Sequence, residues 1–494
     1  MTGKYLLGVD LGTSRIKAVL FDIHGQSVFS TWRNSRLYSG ANRSEINMDE
    51  LWQDVAETIK EVTLKMEPRS KVVAVAVSGQ GEGLWLIDKD NQPIGPAILW
   101  NDSRAEKLVK ELEKDPALNE KIRKIAGSSL FAGATSILLR WLEDNNPKHL
   151  DKAHKLMFCK DWIRFKLTGI VATDITDAST SLLDIKKQAP TSELFDLLGI
   201  GNRAYLIPKL LKPAEHAGSI TKSAADSTGL LQGTPVATGA FDVAATAAGC
   251  GAINDGDACV ILGTSGCSIV VSDLFEPDIS ARSGTEIHVI PSRIITISAT
   301  MAATPNIDWI YSLLHKGRNF EEVEEELRSV PAGCNGLIYH PYISSSGERA
   351  PFYSPGARAQ FTGINETTTP LAMTRAVYEG VALSIKGCLK DHKPERLFLA
   401  GGGSRSPFWA EIIANCTGLP ILISDQVELC ARGSALMAGT AAGLYDDLEH
   451  AITHIKKPDQ IDPDPEQVII YDQLFKKYNQ IRKAMMPVWN SSNQ

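Results

Sequence analysis

The chain has 494 residues, of which 43% are hydrophobic and 22% are charged, and its formal net charge is -7. Because this length exceeds one ordinary hydrophobic core, we expect two large domains. The acidic balance, with no run of more than two Lys or Arg residues, argues against nucleic acid or an anionic membrane as a partner.

The first residues lead into a strand without a cleavable signal pattern, and no apolar stretch approaches the roughly 18 to 20 residues of a membrane span. We therefore expect a cytoplasmic protein that does not contact a membrane. The eight cysteines form no Cys-x-x-Cys pair. Their scatter predicts buried reduced thiols rather than a zinc site or a disulfide framework.

Two apolar β-like runs in residues 6–22 meet at a small, hydroxyl-rich turn. The turn offers a glycine that lets an anion approach the backbone, two hydroxyl groups and one positive charge, on Gly12, Thr13, Ser14 and Lys17. Asp10 ends the first run, where its carboxylate can position Mg²⁺ through water. A strand pair joined by such a turn is most often only a hairpin.

The same arrangement of strand, turn and strand recurs in residues 259–271. Its turn has the sequence Gly263-Thr264-Ser265. Two hydroxyl-rich turns, with an acid at the end of the first strand, favour a site for ATP shared by two related halves of the chain.

Polar residues follow the apolar runs of the next segment, after a predicted helix at residues 49–66 capped by Asp49. A buried strand is predicted at residues 72–77, and apolar runs continue at 84–87 and up to residue 100. Polar side chains at strand ends indicate a cleft, and a polyhydroxylated ligand needs such partners once it loses water. The candidates are Gln80, Glu82, Asn101, Asp102 and Arg104. Taken singly, each of them would fit a solvated loop.

Helical segments are predicted up to about residue 168, and Asp242 follows a short apolar run and precedes a helix of small residues. An aspartate there can accept the proton of an alcohol during phosphoryl transfer. Aspartate is also a leading helix N-cap residue, so a purely structural role is the alternative.

The second half is predicted to begin near residue 245 and to contain a strand at 396–400 followed by a glycine triplet at 401–403. Three glycines allow a base or ribose to lie against the backbone, although such turns are common in α/β folds. Residues 458–466 are predicted to form a connector, and residues 466–486 a final helix that serves packing.

The order of these motifs resembles that of the FGGY family of carbohydrate kinases, over nearly the whole chain. The resemblance implies an α/β protein with two actin-like (ribonuclease H-like) domains around a central catalytic cleft. It places the first phosphate motif at Asp10 to Lys17, the catalytic acid at Asp242 and the second phosphate motif at Gly263 to Ser265. The implied adenosine motif spans Gly401 to Ser406 and includes Gly402, Gly403 and Ser406.

The resemblance also implies the ligands. They are ATP, Mg²⁺ near Asp10 and Asp242, and a small sugar or polyol, and members of the family are often homodimers. The implied acceptor-binding residues are Gln80, Gly81, Glu82, Trp100, Asn101, Asp102, Phe241 and Asp242. The expected domains are residues 1–245 and 246–455, followed by a connector and C-terminal helix at 456–494.

The chain departs from the family pattern at three places. Leu138 stands where lysine is usual, in a segment expected to be a packing helix, and Ala372 replaces a polar residue of the second signature. Gly81 stands between Gln80 and Glu82, where it is expected to leave room for substrate. The surrounding runs resemble the branch of erythritol kinases, L-xylulose kinases and xylulokinases.

These motifs predict ATP-dependent phosphorylation of a hydroxyl of a small sugar or polyol, such as xylulose or erythritol. An actin-like ATPase switch or chaperone is the alternative, since it would also carry paired phosphate turns and an adenosine loop. Such a protein needs no polar cluster at residues 80–104 and no acid at 242, so the kinase is the favoured interpretation.

Overall fold

The computed structural model describes residues 3–276 and 283–491. They form two large mixed sheets with helices on both faces, one sheet in each half of the chain. Among these residues, no helix combines the length and apolar character needed to cross a membrane.

The first half builds a six-stranded sheet with the order β12-β13-β6-β1-β2-β3. Its strands, and those of three small sheets beside it, are β1 (Lys4–Leu11), β2 (Arg15–Phe21), β3 (Ser27–Asn34), β4 (Leu37–Gly40), β5 (Arg43–Ile46), β6 (Lys71–Gly79), β7 (Trp85–Ile87), β8 (Ala97–Ile98), β9 (Lys155–Met157), β10 (Thr173–Asp174), β11 (Leu210–Leu211), β12 (His216–Ser219) and β13 (Pro235–Ala237). The helices of this half are α1 (Met48–Thr63), α2 (Glu106–Leu112), α3 (Pro116–Ala126), α4 (Thr135–Asn145), α5 (Pro147–Leu150), α6 (Cys159–Thr168), α7 (Ile175–Ser179), α8 (Ser192–Leu197), α9 (Lys222–Thr228) and α10 (Asp242–Cys250).

The second half builds a seven-stranded sheet with the order β16-β17-β15-β14-β20-β21-β22. Its strands and a separate strand pair are β14 (Asp257–Leu262), β15 (Gly266–Ser272), β16 (Gly284–Ile287), β17 (Ile294–Thr300), β18 (Ile338–His340), β19 (Gln360–Thr362), β20 (Arg396–Ala400), β21 (Ile421–Ile423) and β22 (Asp459–Ile461). The helices are α11 (Pro305–Leu314), α12 (Phe320–Leu327), α13 (Pro370–Leu389), α14 (Pro407–Thr417), α15 (Leu429–Ala441), α16 (Leu448–Thr453) and α17 (Pro465–Ser491).

The two sheets share one central arrangement. In the first, β1 pairs antiparallel with β2 and parallel with β6, and in the second β14 pairs antiparallel with β15 and parallel with β20. The predicted strand–turn–strand units at 6–22 and 259–271 are therefore the equivalent hairpins β1–β2 and β14–β15. Strands β1, β6, β14 and β20 are mostly buried because helices cover both faces, which explains their nearly continuous apolar sequences.

The two halves meet at a contact between backbones. Helix α15 of the second half packs against α10 and β1 of the first half. A Cβ atom on Gly433 would lie 2.0 Å from the carbonyl oxygen of Ala245, and one on Gly8 would lie 1.9 Å from that of Ala431. Gly249 approaches α15 equally closely. Larger residues at these positions would push the halves apart.

Two local predictions were wrong. Asn47, and not Asp49, caps α1, because the Asn47 side chain accepts hydrogen bonds from the N–H groups of Asp49 and Glu50. The segment predicted as a plain connector contains β22, which pairs with β21 at the edge of the second sheet. The final helix forms as predicted, and it buries Tyr471, Leu474 and Tyr478.

Candidate active site

The first turn predicted to bind phosphate joins β1 to β2, and Ser35 forms hydrogen bonds to its backbone. The Ser35 hydroxyl donates to the carbonyl oxygen of Gly12 at 3.2 Å, and its N–H donates to that of Ser14 at 3.0 Å. Ser14 is exposed and Thr13 is partly exposed. The turn thus has a fixed backbone and hydroxyl groups that a phosphate can reach.

Thr13 connects this turn to the predicted acceptor residues. Its hydroxyl donates to Gln80 Oε1 at 3.0 Å and accepts from Trp100 Nε1 at 2.9 Å. Gln80 follows β6, the strand beside β1, so the two chain segments end at the same edge of the sheet. The structure therefore brings together one phosphate-turn residue and two predicted acceptor-binding residues.

Residues at the start of α15 reach the first hairpin from the other half. Lys17 Nζ donates to Glu428 Oε2 at 2.6 Å, and Cys430 Sγ donates to Asp10 Oδ1 at 3.3 Å. Burial raises the pKa of Asp10, and the positive charge of Lys17 opposes this rise. Neither Glu428 nor Cys430 was singled out from the sequence, because their partners lie about 400 residues away in the chain.

Asp242 is the first residue of α10. Gly239 precedes it with φ of +81°, and a Cβ atom there would lie 1.9 Å from the carbonyl oxygen of Val77, so the chain turns tightly against β6. The N-cap position belongs to Phe241, which makes no side-chain capping bond, so the N-cap interpretation of Asp242 was wrong. Burial, and next the negative charge of Asp10, raise the pKa of Asp242 to about 7.

The second phosphate turn and the glycine loop lie side by side at the end of β14. Thr304 holds the turn as Ser35 holds the first, since its hydroxyl donates to the carbonyl oxygen of Gly263 at 2.6 Å. The side chains of Thr264 and Ser265 are exposed. A Cβ atom on Gly403 would lie 2.8 Å from Leu262 Cβ, so the glycine loop rests on the residue that leads into the turn.

Gly401 and Gly403 of this loop are required by their surroundings, whereas Gly402 is not. Gly401 has φ of +84°, and a Cβ atom there would lie 2.5 Å from the carbonyl oxygen of Leu262. Gly402 is exposed, and no heavy atom of the described chain would lie within 4 Å of a Cβ there. The Ser406 hydroxyl, in contrast, is used within the protein, where it accepts from Trp409 N–H at 3.0 Å and donates to Glu324 Oε1 at 2.8 Å.

Glu82, in the segment after β6, has a strained backbone, and its carboxyl group contacts the start of α4. Its φ is +60°, which is uncommon for a residue with a side chain. Its Oε2 accepts hydrogen bonds from Thr135 N–H at 2.7 Å, Thr135 Oγ1 at 2.9 Å and Ser181 Oγ at 2.9 Å. Burial raises the pKa of Glu82, against the effect of these bonds. The carboxyl group is thus fixed in direction.

The carboxylate of Asp102 is bound by its own neighbours. Arg104 donates to both of its oxygens at 2.8 Å, and Ser44 N–H donates to Oδ2 at 2.8 Å. The side chain of Asp102 is 0% exposed, whereas Asn101 is exposed and Trp100 is 37% exposed. Arg104, a further sequence candidate, therefore fixes Asp102.

Gly81 is packed rather than open. A Cβ atom there would lie 3.1 Å from Asp177 Oδ1 and 3.3 Å from Phe241 Cδ2. The expectation that Gly81 leaves room in this direction was therefore wrong. The glycine instead allows Asp177 and Phe241 to approach the backbone between Gln80 and Glu82.

A cluster of buried charged side chains, which includes Asp177, lies next to Gly81. This cluster was not predicted from the sequence. Lys160 Nζ lies within 2.8 Å of one carboxylate oxygen from each of three aspartates, Asp161, Asp174 and Asp177. These four side chains are 0% exposed. Burial lowers the pKa of Lys160, but the three carboxylates outweigh it and the pKa is raised. Lys160 is therefore held in its charged form.

The cluster reaches the start of α10 through one hydroxyl group. Thr176 Oγ1 donates to Asp174 Oδ2 at 2.5 Å and accepts from the N–H of Phe241 at 3.1 Å. Phe241 directly precedes Asp242. The cluster thus fixes the backbone that positions the candidate base.

Asp10 and Asp242 are the described residues that could help to hold the metal ion of a nucleotide. No group of three or more His, Cys, Asp or Glu side chains within residues 3–276 and 283–491 is arranged to hold a metal ion by itself. Asp10 and Asp242 are close enough for the charge of one to act on the other. Carboxylates at such a place suit Mg²⁺, which keeps several waters and binds few protein groups.

Both halves of the chain match known proteins. The N-terminal domain model of the FGGY family of carbohydrate kinases matches residues 5–249, and the C-terminal domain model matches residues 258–442. The chain is 30% identical to an erythritol kinase of Brucella abortus, over 99% of this chain and 98% of that protein. It is also 30% identical to a xylulose kinase of Lactococcus lactis, over 97% and 96%.

A solved structure supports the same assignment. The crystal structure of a gluconate kinase from Lactobacillus acidophilus matches with a TM-score of 0.91 and 25% identity, over 99% of this chain and 100% of that one. The family matches and the fold define a two-domain kinase of the actin-like ATPase fold, which transfers phosphate to an alcohol group. The chain belongs to the FGGY family of carbohydrate kinases.

Proposed function

We propose that this kinase transfers the terminal phosphate of Mg·ATP to a hydroxyl of a small polyol or pentulose, with Asp242 as the general base. The observation that carries the proposal is the position of Asp242 at the start of α10, beside Asp10 and with a pKa raised to about 7. A base with a pKa near the working pH is ionised in a large fraction of molecules and still has a high affinity for a proton. The relatives named erythritol kinase and xylulose kinase support the acceptor class.

In the proposed reaction, the acceptor hydroxyl lies against Asp242, and Gln80 and Glu82 orient the rest of the acceptor. The hydroxyl proton passes to the Asp242 carboxylate as the acceptor oxygen bonds to the terminal phosphorus, and the bond from that phosphorus to ADP breaks. Thr13, Ser14, Thr264 and Ser265 offer hydroxyl groups to the phosphates from both hairpins. Mg²⁺, held near Asp10 and Asp242, would neutralise phosphate charge.

The experiment that tests the proposal is acceptor-dependent release of ADP from Mg·ATP across glycerol, erythritol, D- and L-xylulose, D- and L-ribulose, ribitol, arabitol and gluconate. We expect one acceptor to exceed the others in kcat/KM by at least about tenfold, the scale set by one lost hydroxyl contact. ATP turnover that ignores every acceptor would instead support the actin-like ATPase switch or chaperone.

The pH dependence of kcat/KM tests the base. Asp242 must be ionised to accept a proton, so kcat/KM for the acceptor is expected to rise about tenfold per pH unit below pH 7 and to level off above it. The sign follows from the raised pKa, which keeps the carboxyl protonated at low pH. A profile that is flat between about pH 5.5 and 8 would contradict this assignment.

The ion pair between Lys17 and Glu428 gives a prediction for ATP. Lys17→Met is expected to raise the KM for ATP by roughly 10- to 100-fold, because a charged hydrogen bond to phosphate contributes about 1.5 to 3 kcal/mol. Glu428→Gln should keep or lower that KM, because it releases Lys17 from its 2.6 Å partner. Steady-state kinetics with varied ATP measure both, and equal losses in the two variants would show that the pair serves only structure.

The domain boundaries and the oligomeric state are also proposals. The predicted division between residues 245 and 246 falls inside α10, so we propose that the first domain extends to the end of that helix. A homodimer stays a proposal from the family resemblance, and light scattering of the purified chain tests it.

A further inference from the structure

Strand β16 belongs to the second half but is bound to the first. It pairs with β17 along one edge, and at its other edge the N–H of Thr285 donates to the carbonyl oxygen of Gly127 at 2.9 Å. The N–H of Ile287 donates to Ser179 Oγ at 2.9 Å. Ser179 lies on α7, the helix that also carries Asp177. These bonds fix β16 beside α7, and therefore near Asp177, which approaches Gly81.

Glu286 lies between Thr285 and Ile287 in β16. Because side chains alternate along a strand, its side chain projects from the face opposite to theirs. Thr285 and Ile287 are both buried. The Oε2 atom of Glu286 is also buried, and it has no hydrogen-bond partner among the described residues. An unpaired buried oxygen of this kind is destabilising and requires an explanation.

The charges that act on Glu286 show which carboxyl groups lie near it. Burial raises its pKa, and the carboxyl groups of Glu82, Asp177 and Asp242 raise it further. Glu82 and Asp242 are proposed acceptor-site residues, and Asp177 Oδ1 points at Gly81. That Asp177 oxygen also has no hydrogen-bond partner within the described chain, although its side chain is 0% exposed. Glu286 and Asp177 thus each carry one buried oxygen without a partner, and they are close enough for the charge of one to act on the other.

We propose that Glu286 is a substrate-binding residue, which bonds an acceptor hydroxyl away from the reacting one and which the second half contributes to the acceptor site. The inference rests on the proposed function. A polyol or ketose offers hydroxyl donors along its chain, and each needs a partner once it is buried. A carboxyl group on β16 would make binding depend on the presence and configuration of one such hydroxyl, which is a basis for discrimination between acceptors.

The test compares Glu286→Gln and Glu286→Ala with the unchanged kinase, using the best acceptor of the panel and its single-deoxy analogues. We expect the acceptor KM to rise at least about tenfold in Glu286→Ala, with the KM for ATP unchanged within about twofold. One deoxy analogue should bind poorly to the unchanged kinase, yet lose no further affinity in Glu286→Ala. Glu366→Gln is the control, because Glu366 is exposed in the same half.

The outcomes separate this inference from the proposed function. If the unchanged kinase uses an acceptor and both Glu286 variants keep its KM and the same ranking of analogues, the inference is wrong and the proposed function stands. If the unchanged kinase neither turns over nor binds any acceptor of the panel, the proposed function is wrong and the inference falls with it. A uniform loss of kcat, of ATP binding and of melting temperature in Glu286→Gln would assign Glu286 to structure and also overturn the inference.

Discussion

Asp242→Asn is expected to lower kcat by about 10² to 10⁴, the range found when a general base is removed. Asparagine keeps the size of the side chain and the start of α10, but it cannot take the proton of the acceptor hydroxyl. The KM for ATP should change little, since the phosphate turns are not altered. Single-turnover ADP formation at saturating acceptor and ATP measures the chemical step directly.

Asp308→Asn is the matched control, because Asp308 is an exposed acid in the first turn of another helix, α11. It should keep kcat within about twofold. A second readout tests whether the fold survives Asp242→Asn. The pKa of Asp242 is raised in the folded state, so ionisation there opposes folding as the pH rises from about 4 to about 7, by up to roughly 4 kcal/mol.

The asparagine variant should consequently be at least as stable as the unchanged kinase at pH 8, and the gap should close as the pH falls towards 4. Thermal unfolding at several pH values measures this difference. A variant with near-normal kcat would remove Asp242 from the mechanism, whatever its stability.

Lys160→Met is expected to destabilise the protein by about 3 to 5 kcal/mol, because it leaves three buried carboxylates without their shared cation. For a domain of this size such a loss lowers the melting temperature by roughly 6 to 20 °C. We also expect a lower kcat at temperatures where the variant is folded, since Asp174 and Thr176 hold the backbone N–H just before Asp242.

The control for this variant is Lys222→Met, which removes a lysine that is 75% exposed and paired with an exposed aspartate. Surface pairs of this type contribute about 1 kcal/mol or less. Differential scanning calorimetry compares the two variants. Equal melting temperatures for Lys160→Met and the unchanged kinase would show that the three carboxylates are protonated and need no cation.

The features predicted correctly from the sequence are those encoded within a few residues. The hairpin β1–β2 shows itself in two apolar runs around Gly12, and β20 was predicted at 396–400 and spans Arg396–Ala400. Both are buried strands that end in turns with glycine, and this pattern is readable locally. The family resemblance added the order of the motifs, and the comparisons confirmed the family and the fold.

The features that were missed depend on partners distant in the chain. Lys17 was predicted to supply positive charge to the first turn, and its partner Glu428, which lies 411 residues away, was missed. Lys160 gives no sign in the sequence that it is buried, since a single lysine beside an aspartate is ordinary surface composition. The role of β22 was missed for a related reason, because a short polar strand becomes recognisable only beside the edge it covers.

Asp242 lies only a short distance along α10 from the point where α10 contacts α15. Gly249, where the helices touch, lies seven residues from Asp242, which is about 10 Å along an α-helix. If the halves rotate about this contact by about 10°, Asp242 moves by only about 2 Å, while groups farther from the contact sweep through proportionally larger arcs. Asp242 can therefore stay aligned with the acceptor while the nucleotide-binding part of the second half moves farther. Opening of the cleft for substrate then need not displace the group that removes the proton.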